Sequence, residues 1–245
     1  MKAVVAVGRR HLPRGWSDLG VQIGIWLGFG LAYQIARGLA DRDPARAFAN
    51  AIKVIDFEQQ AAGLYELTAQ RLIDSSDVLA KLAAWTYWNS EFTVISLTLL
   101  FVYVRRHYAF SRFRNAILAT NLLGLLGYVL LPTAPPRMFP SYGFLSTSTS
   151  HEHGLIQLAA NPYAAMPSLH AADALIVGVS MAWVCRTWWA KALWAIWPTW
   201  VWFTVMATAN HYWVDVIGGA FVALLGLAFA HGRSLRRPSL AQAPA

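Results

Sequence analysis

Two residues four apart in the sequence have the side chains needed for nucleophilic chemistry. His211 and Asp215 share a face if they lie on one helix, and the carboxylate can then accept a hydrogen bond from one ring nitrogen. The other nitrogen is left free to attack an electrophile, as in other carboxylate–histidine pairs. A His–Asp pair that only caps the end of a membrane span is the structural alternative.

Residues 166–170 (MPSLH) predict the start of a helix at which an anion binds. Pro167 and Ser168 precede an apolar run that continues to about Arg186, and the Ser168 hydroxyl can cap the helix. The free N–H groups and the positive end of the helix dipole would then meet the anion. His170 would lie beside it as a proton donor. Taken singly, Ser168 is an ordinary cap and His170 a common interfacial histidine.

Arg137 is the candidate for holding a phosphate, and Asn210 belongs to the polar cluster that contains His211. Arg137 follows two prolines, whose fixed φ angles give it a rigid approach, and Asn210 directly precedes His211. A guanidinium can bind phosphate through two parallel hydrogen bonds and neutralise charge that develops during transfer. Without the other motifs, a contact with lipid headgroups would explain Arg137 equally well.

A metal site is not expected. His151 and His153 flank Glu152 and suggest zinc, but their spacing matches no helical ligand pair. The single cysteine, Cys185, has no partner for a disulfide or for a CxxC site.

The composition indicates a membrane protein. Of the 245 residues, 57% are hydrophobic and 13% are charged, which is too apolar for an ordinary soluble domain. The formal net charge of +8 could indicate nucleic acid binding. However, the basic residues lie at the ends of apolar runs rather than on one face, so lipid phosphates are the expected acidic partners and nucleic acid is not.

Apolar runs predict an all-α membrane protein with six transmembrane helices. The bilayer interior has no water to bond to the backbone N–H and C=O groups, and helices of this length satisfy these groups internally. The runs are residues 19–38, 82–104, 115–131, 168–185, 192–209 and 212–230. Between the first two, residues 44–73 place apolar residues at helical spacing amid charges, which predicts amphipathic helices lying in the interface. A soluble lid or linker is the alternative.

Three segments follow from these runs. Residues 1–18 are expected to be a cytoplasmic N-terminal segment, residues 19–231 the six-helix membrane domain, and residues 232–245 a disordered cytoplasmic tail.

The distribution of Lys and Arg predicts that both termini are cytoplasmic, because 13 of the 20 basic residues then fall on the inner side. This orientation puts Arg137, Ser168, His170, His211 and Asp215 at the same, non-cytoplasmic end of the spans. We therefore expect one shared, outward-facing active site.

These motifs resemble those of a known family. The sequence PSLH at 167–170, followed by HYWVD at 211–215, is similar to the second and third signatures of the phosphatidic acid phosphatase type 2 superfamily. The stretches PTAPPR, NPYAAMPSLH and TANHYWVDVIGG resemble the branch near inositol phosphorylceramide synthase, and the resemblance covers residues 85–219 or so.

The resemblance implies a role for each candidate residue and no metal ion or other cofactor. His211 would be the nucleophile that forms a phosphohistidine, with Asp215 orienting it. His170 would protonate the leaving alkoxide and then activate the acceptor. Ser168 and Arg137 would hold the phosphoryl oxygens.

The chain departs from the family at two positions. The first family motif begins with a Lys seven residues before its Arg, where this chain has Leu130, and the third has Ser-Arg where this chain has Thr204-Val205. Two phosphate-binding cations are therefore absent. Arg137, the helix N-termini and Asn210 or a nearby tyrosine are left to hold the phosphate.

The expected function is a metal-independent phosphatase for a lipid or polyprenyl phosphate, or a diphosphate, at the outer face of a bacterial inner membrane. A phosphotransferase that moves a phosphoryl or phosphoalcohol group onto a lipid or sugar hydroxyl is the alternative, because the same histidines serve both acceptors. A lipid transporter is a third possibility, since polar residues at one membrane face also suit a substrate gate. The complete His/His/Asp set argues against it.

Overall fold

The computed structural model describes residues 12–40, 43–145 and 161–235, the last three without side chains, and every regular element in those ranges is helical. The all-α prediction is therefore confirmed for this part of the chain. The α-helices are α1 (Gly15–Leu39), α2 (Pro44–Ala61), α3 (Tyr65–Asp74), α4 (Asp77–Asn89), α5 (Ile95–Arg105), α6 (His107–Leu130), α7 (Leu169–Val184), α8 (Trp188–Ala207) and α9 (Trp213–Leu235).

Each of the six predicted spans corresponds to a helical segment. The second consists of α4 and α5 joined by a π-helical turn, Ser90–Val94. Three helices are long and apolar enough by themselves to cross a membrane, namely α1, α6 and the Trp213–Gly232 part of α9, and α7 is a shorter apolar helix. The chain is thus a helical membrane protein, while the number of spans stays a prediction.

Some predictions fall where the structure gives no description. His151, Glu152 and His153 lie outside the described residues, as do residues 1–11 and 236–245. Helix α9 continues to Leu235 and so includes the first positions of the predicted tail.

The predicted amphipathic segment forms two helices, α2 and α3. Helix α2 begins with Pro44 directly after Asp43, whose side chain accepts a hydrogen bond from the Arg46 N–H at 3.2 Å. Its inner face contacts the loop after α6, because the Asn50 amide donates to the Pro132 carbonyl at 2.9 Å. These helices therefore cover one end of the bundle, and their position in the membrane interface stays a prediction.

Glycines allow α6 and α9 to approach the turn at residues 167–168. A Cβ at Gly127 of α6 would lie 2.3 Å from Cδ of Pro167, and one at Gly219 of α9 would lie 2.2 Å from the Ser168 carbonyl oxygen. Both distances are far below van der Waals contact. The turn that precedes α7 is thus held tightly between two helices.

Adjacent glycines of α9 provide a matched test of this packing. We expect Gly219→Ala to destabilise the protein by about 1–3 kcal/mol, because the Ser168 carbonyl must move. This corresponds to a fall in Tm of roughly 2–12 °C for a chain of this length. Gly218→Ala should be tolerated, since its Cβ would lie 3.4 Å from Pro167. Thermal unfolding in detergent measures both, and equal Tm values for the two variants would contradict the packing.

Candidate active site

Main-chain hydrogen bonds join the three loops that carry the predicted motifs. The Thr133 N–H donates to the Tyr163 carbonyl at 2.8 Å, and the Ala165 N–H donates to the Thr133 carbonyl at 3.2 Å. The Arg137 N–H donates to the Ala209 carbonyl at 2.9 Å. The loops after α6, before α7 and between α8 and α9 therefore meet at one end of the bundle.

The end of α8 delivers His211 to this place. The Ala209 N–H bonds to the Met206 carbonyl and the Asn210 N–H to the Val205 carbonyl, at 2.9 and 3.1 Å, which is the pattern of a Schellman motif. Ala209 takes the left-handed conformation (φ 53°) that this motif requires and that glycine usually supplies. The chain reverses here, and His211 follows directly.

The His211 ring is held by a main-chain carbonyl. Its Nδ1 lies 2.9 Å from the Ala165 oxygen and 3.5 Å from Oδ2 of Asp215. A carbonyl oxygen can only accept, so Nδ1 carries the hydrogen and Nε2 holds the lone pair. The sequence predicted Asp215 as the acceptor, whereas Ala165 is the nearer partner in the structure.

Burial keeps the His211 imidazole neutral. Burial is the main cause that lowers the pKa of His211 to about 3. The hydrogen bond to the Ala165 carbonyl opposes this shift, whereas the positive charge of Arg137 lowers the pKa further. The imidazole is therefore unprotonated at neutral pH, and its Nε2 lone pair is free for nucleophilic attack.

Three buried carboxyl groups bind the first N–H groups of α9. Oδ2 of Asp215 accepts from Tyr212 at 2.9 Å, Oε1 of Glu66 from Trp213 at 2.5 Å, and Oε1 of Glu58 from Val214 at 3.0 Å. The α9 N-terminus is thus already occupied. Of the helix N-termini expected to bind an anion, α7 is the one that stays available.

Glu58 and Glu66 come from the two covering helices and were not singled out by the sequence. Burial is the main cause that raises the pKa of Glu58 to about 9, and the neighbouring Glu66 raises it further. Burial also raises the pKa of Glu66 to about 7. Glu58 is therefore protonated at neutral pH, which limits the negative charge beside the site.

The raised pKa of Glu58 makes stability depend on pH. The folded state holds this proton more tightly than the unfolded state, so its contribution is complete below about pH 4.5 and is lost as pH rises toward 9. We expect Glu58→Gln, which resembles the protonated acid, to raise Tm at pH 8.5 relative to the wild type and to flatten the fall in Tm between pH 6 and 9. Asp56→Asn on the exposed side of α2 is the control and should leave that fall unchanged. If the Tm of Glu58→Gln falls between pH 6 and 9 as steeply as that of the wild type, the protonated state of Glu58 is contradicted.

His170 lies next to His211. Their ring centroids are 5.8 Å apart, and the His170 ring stacks on Tyr87 at 4.5 Å. Nε2 of His170 lies 3.6 Å from Oε2 of Glu91, so the carboxylate can stabilise a protonated imidazole. This arrangement suits a group that gives and takes a proton.

Glu91 was not singled out from the sequence, although one sequence signal pointed to it and the structure adds a second. It is the only acidic residue in the predicted span 82–104, and ionisable residues within spans usually have a function. It also lies in the π-helical turn of the second span, and such turns are frequent at functional sites.

The predicted phosphate ligands lie at the same end. Nη1 of Arg137 donates to Oδ1 of Asn210 at 2.5 Å, so these two residues form one unit. Ser168 is the N-cap of α7, where its Oγ accepts from the Ala171 N–H at 3.3 Å. The N–H groups of the first helical residues, Leu169 and His170, have no intrahelical acceptor and can bind an anion.

The fold and this site define an all-α membrane protein with a paired-histidine site at one end of its bundle. The chain belongs to the PAP2 superfamily, whose sequence profile matches residues 52–229.

Two relatives and one solved structure are similar to the chain. It is 32% identical to the phosphoinositol dihydroceramide synthase of Bacteroides thetaiotaomicron over 160 residues, which cover 58% of this chain and 52% of the relative. It is 27% identical to the inositol phosphorylceramide synthase of Candida albicans over 123 residues, 42% of this chain and 26% of the relative. The chain therefore spans about half or less of these proteins. The crystal structure of Aquifex aeolicus LpxE shares the fold, with a TM-score of 0.51 at 13% identity, over 79% of this chain and 99% of that one.

Proposed function

We propose that the protein is a metal-independent membrane enzyme that transfers the phosphoryl group of a lipid phosphate through a covalent bond to His211. The 5.8 Å approach of the His170 and His211 rings, beside the Arg137–Asn210 pair, is the observation that carries the proposal. Nε2 of His211 attacks phosphorus and the bond from phosphorus to the leaving oxygen breaks. His170 gives that oxygen a proton, and Arg137 balances the charge on the remaining phosphoryl oxygens.

The second half of the reaction returns the group to an acceptor. His170, now neutral, takes a proton from the acceptor, whose oxygen attacks phosphorus and releases His211. Water as the acceptor gives a phosphatase for lipid or polyprenyl phosphates or diphosphates, and a lipid or sugar hydroxyl gives a phosphotransferase. The similarity to two synthases favours the hydroxyl, as does the absence of the two family cations at Leu130 and Val205.

An acceptor panel distinguishes the two functions. Purified protein is incubated with lipid phosphates, diphosphates and phosphoalcohol lipids, with and without candidate alcohols. Phosphate release without any alcohol supports the phosphatase. Product that forms only with an alcohol supports the phosphotransferase. A panel without any product, from protein that stays folded, contradicts the proposed function.

We also propose that both termini are cytoplasmic and that the site opens on the non-cytoplasmic side of a bacterial inner membrane. The bias of Lys and Arg toward the opposite end of the spans supports this orientation.

Thiol labelling in intact cells tests the orientation. In a Cys185→Ser background, a cysteine at the exposed position Ser141 is expected to react with an impermeant maleimide, and one at the exposed Arg105 only after lysis. Labelling of position 105 from outside would reverse the orientation.

A further inference from the structure

Helix α1 lies outside the residues that match the family, 52–229, and yet it brings a cation to the site. Arg37 is in its last turn, with the guanidinium carbon 5.7 Å from the centroid of the Tyr128 ring. Nε of Arg37 is buried and has no hydrogen-bond partner among the residues that the structure describes. Burial is the main cause of the low pKa of His211, and the charge of Arg37 adds a small lowering, so the guanidinium lies within electrostatic range of this histidine.

A cavity of about 390 Å³ lies between α1 and the second span. Its walls are largely apolar and include Trp26, Gly30 and Phe92. One of its lining residues is Glu91, which is the carboxylate 3.6 Å from His170. The cavity therefore extends to the carboxylate that lies beside His170.

Arg37 and the cavity belong to the same face of α1. Trp26, Gly30, Tyr33 and Arg37 follow one another at intervals of four, three and four residues, which places them along one side of a helix. The first three line the cavity, and Arg37 comes one turn after Tyr33. A lipid whose chain lay in the cavity would have its polar end at Arg37.

We propose that α1 is the lipid-binding wall of the site, in which Arg37 binds oxygens of the substrate phosphate and the cavity takes an aliphatic chain of the same lipid. This inference rests on the proposed phosphoryl transfer and names the substrate as a membrane lipid that enters beside α1. Arg37 then supplies a cation in place of the one missing at Leu130.

Arg46 is the rival for that role, because its Nη2 donates to the Leu130 carbonyl at 2.7 Å. Its side chain is exposed, and this hydrogen bond closes the C-terminal end of α6. Arg37 has a buried donor without an acceptor, whereas the described hydrogen bond of Arg46 is to the main chain. The geometry therefore favours Arg37.

The phosphate role is tested by Arg37→Gln, with Arg46→Gln as the matched control. Orthovanadate, a phosphate analogue, should raise the Tm of the wild type and of Arg46→Gln in detergent. Loss of a charge-assisted hydrogen bond predicts that Arg37→Gln binds vanadate about 10- to 100-fold more weakly, and that Arg37→Lys recovers part of the affinity. Arg37→Gln is expected to lower kcat/KM for a lipid phosphate by the same factor as its affinity for vanadate.

The outcomes of this test separate the two claims. Unchanged vanadate affinity in Arg37→Gln, or an equal loss in Arg46→Gln, overturns the role of Arg37 while the proposed function stands. If vanadate binding depends on Arg37 but the protein turns over no lipid phosphate, the role of Arg37 is supported and the proposed function is overturned. A wild type that vanadate does not stabilise contradicts both.

The chain-binding role is tested by filling the cavity. A Cβ at Gly30 or at Gly28 would meet no other atom within 4 Å, so a side chain can be added at either position without a clash at Cβ, but only Gly30 lines the cavity. We expect Gly30→Leu to raise KM about tenfold for a long-chain lipid phosphate, the equivalent of roughly two lost methylene contacts. A six-carbon alkyl phosphate should be unaffected, and Gly28→Leu should change neither substrate. Equal KM values in Gly30→Leu and the wild type, or equal effects on both substrates, overturn this role.

Discussion

Replacing His211 with alanine is expected to lower kcat at least about 10³-fold, because the variant loses the atom that bonds to phosphorus. The ring is buried and its Nδ1 lies 2.9 Å from the Ala165 carbonyl oxygen, so Nε2 is held in a fixed position that alanine cannot supply. Initial rates with a lipid phosphate, measured on purified protein of verified Tm, give the size of the loss.

His231→Ala is the control for this variant. His231 lies exposed near the far end of α9, where its ring contacts the Leu227 carbonyl of its own helix, and we expect its removal to leave kcat unchanged. A His211→Ala enzyme with near-wild-type kcat would remove the covalent mechanism.

The second largest effect is expected from His170→Ala, which should lower kcat by about 10²–10⁴-fold on an alkyl phosphate. An alkoxide is a poor leaving group and needs the proton of His170, which Glu91 helps to hold. A p-nitrophenyl phosphate loses a stable phenolate and needs no proton at that step. The loss in phosphoenzyme formation should therefore be much smaller for the aryl substrate.

Comparison of the two leaving groups separates catalysis from structure. A misfolded or misplaced site would lose activity equally on both substrates, whereas loss of a general acid depends on the leaving group. Equal losses in single-turnover rates on the alkyl and aryl phosphates would assign His170 to structure rather than proton transfer.

The sequence predicted those parts of the fold that depend on local pattern. Apolar runs located the six helical segments, and the Ser168 cap of α7 forms as the residue type predicts. The sequence also predicted that the motifs lie close together, because successive helix ends alternate between the two ends of a bundle. Arg137, His170 and His211 lie at one end of the bundle for that reason.

Other parts of the site depend on contacts that leave no local pattern. The acceptor for His211 is the main-chain oxygen of Ala165, 46 positions away, and any residue type could supply it. Glu66 reaches Trp213 across 147 positions, and its face of α3 appeared only as part of an amphipathic helix. Arg37 lies at the end of the predicted span 19–38, and sequence alone does not reveal that its Nε is buried or that its guanidinium lies over the Tyr128 ring.

Trapping of the phosphoenzyme tests the central claim most directly. His170→Ala is mixed with a ³²P-labelled aryl phosphate, which needs no acid for the first step, while release to the acceptor is slowed by loss of the base. The reaction is quenched in alkali and the labelled peptide is sequenced. We predict an acid-labile, alkali-stable label on His211. Label on another residue such as Ser168, or turnover without any label on the protein, would contradict covalent transfer through His211.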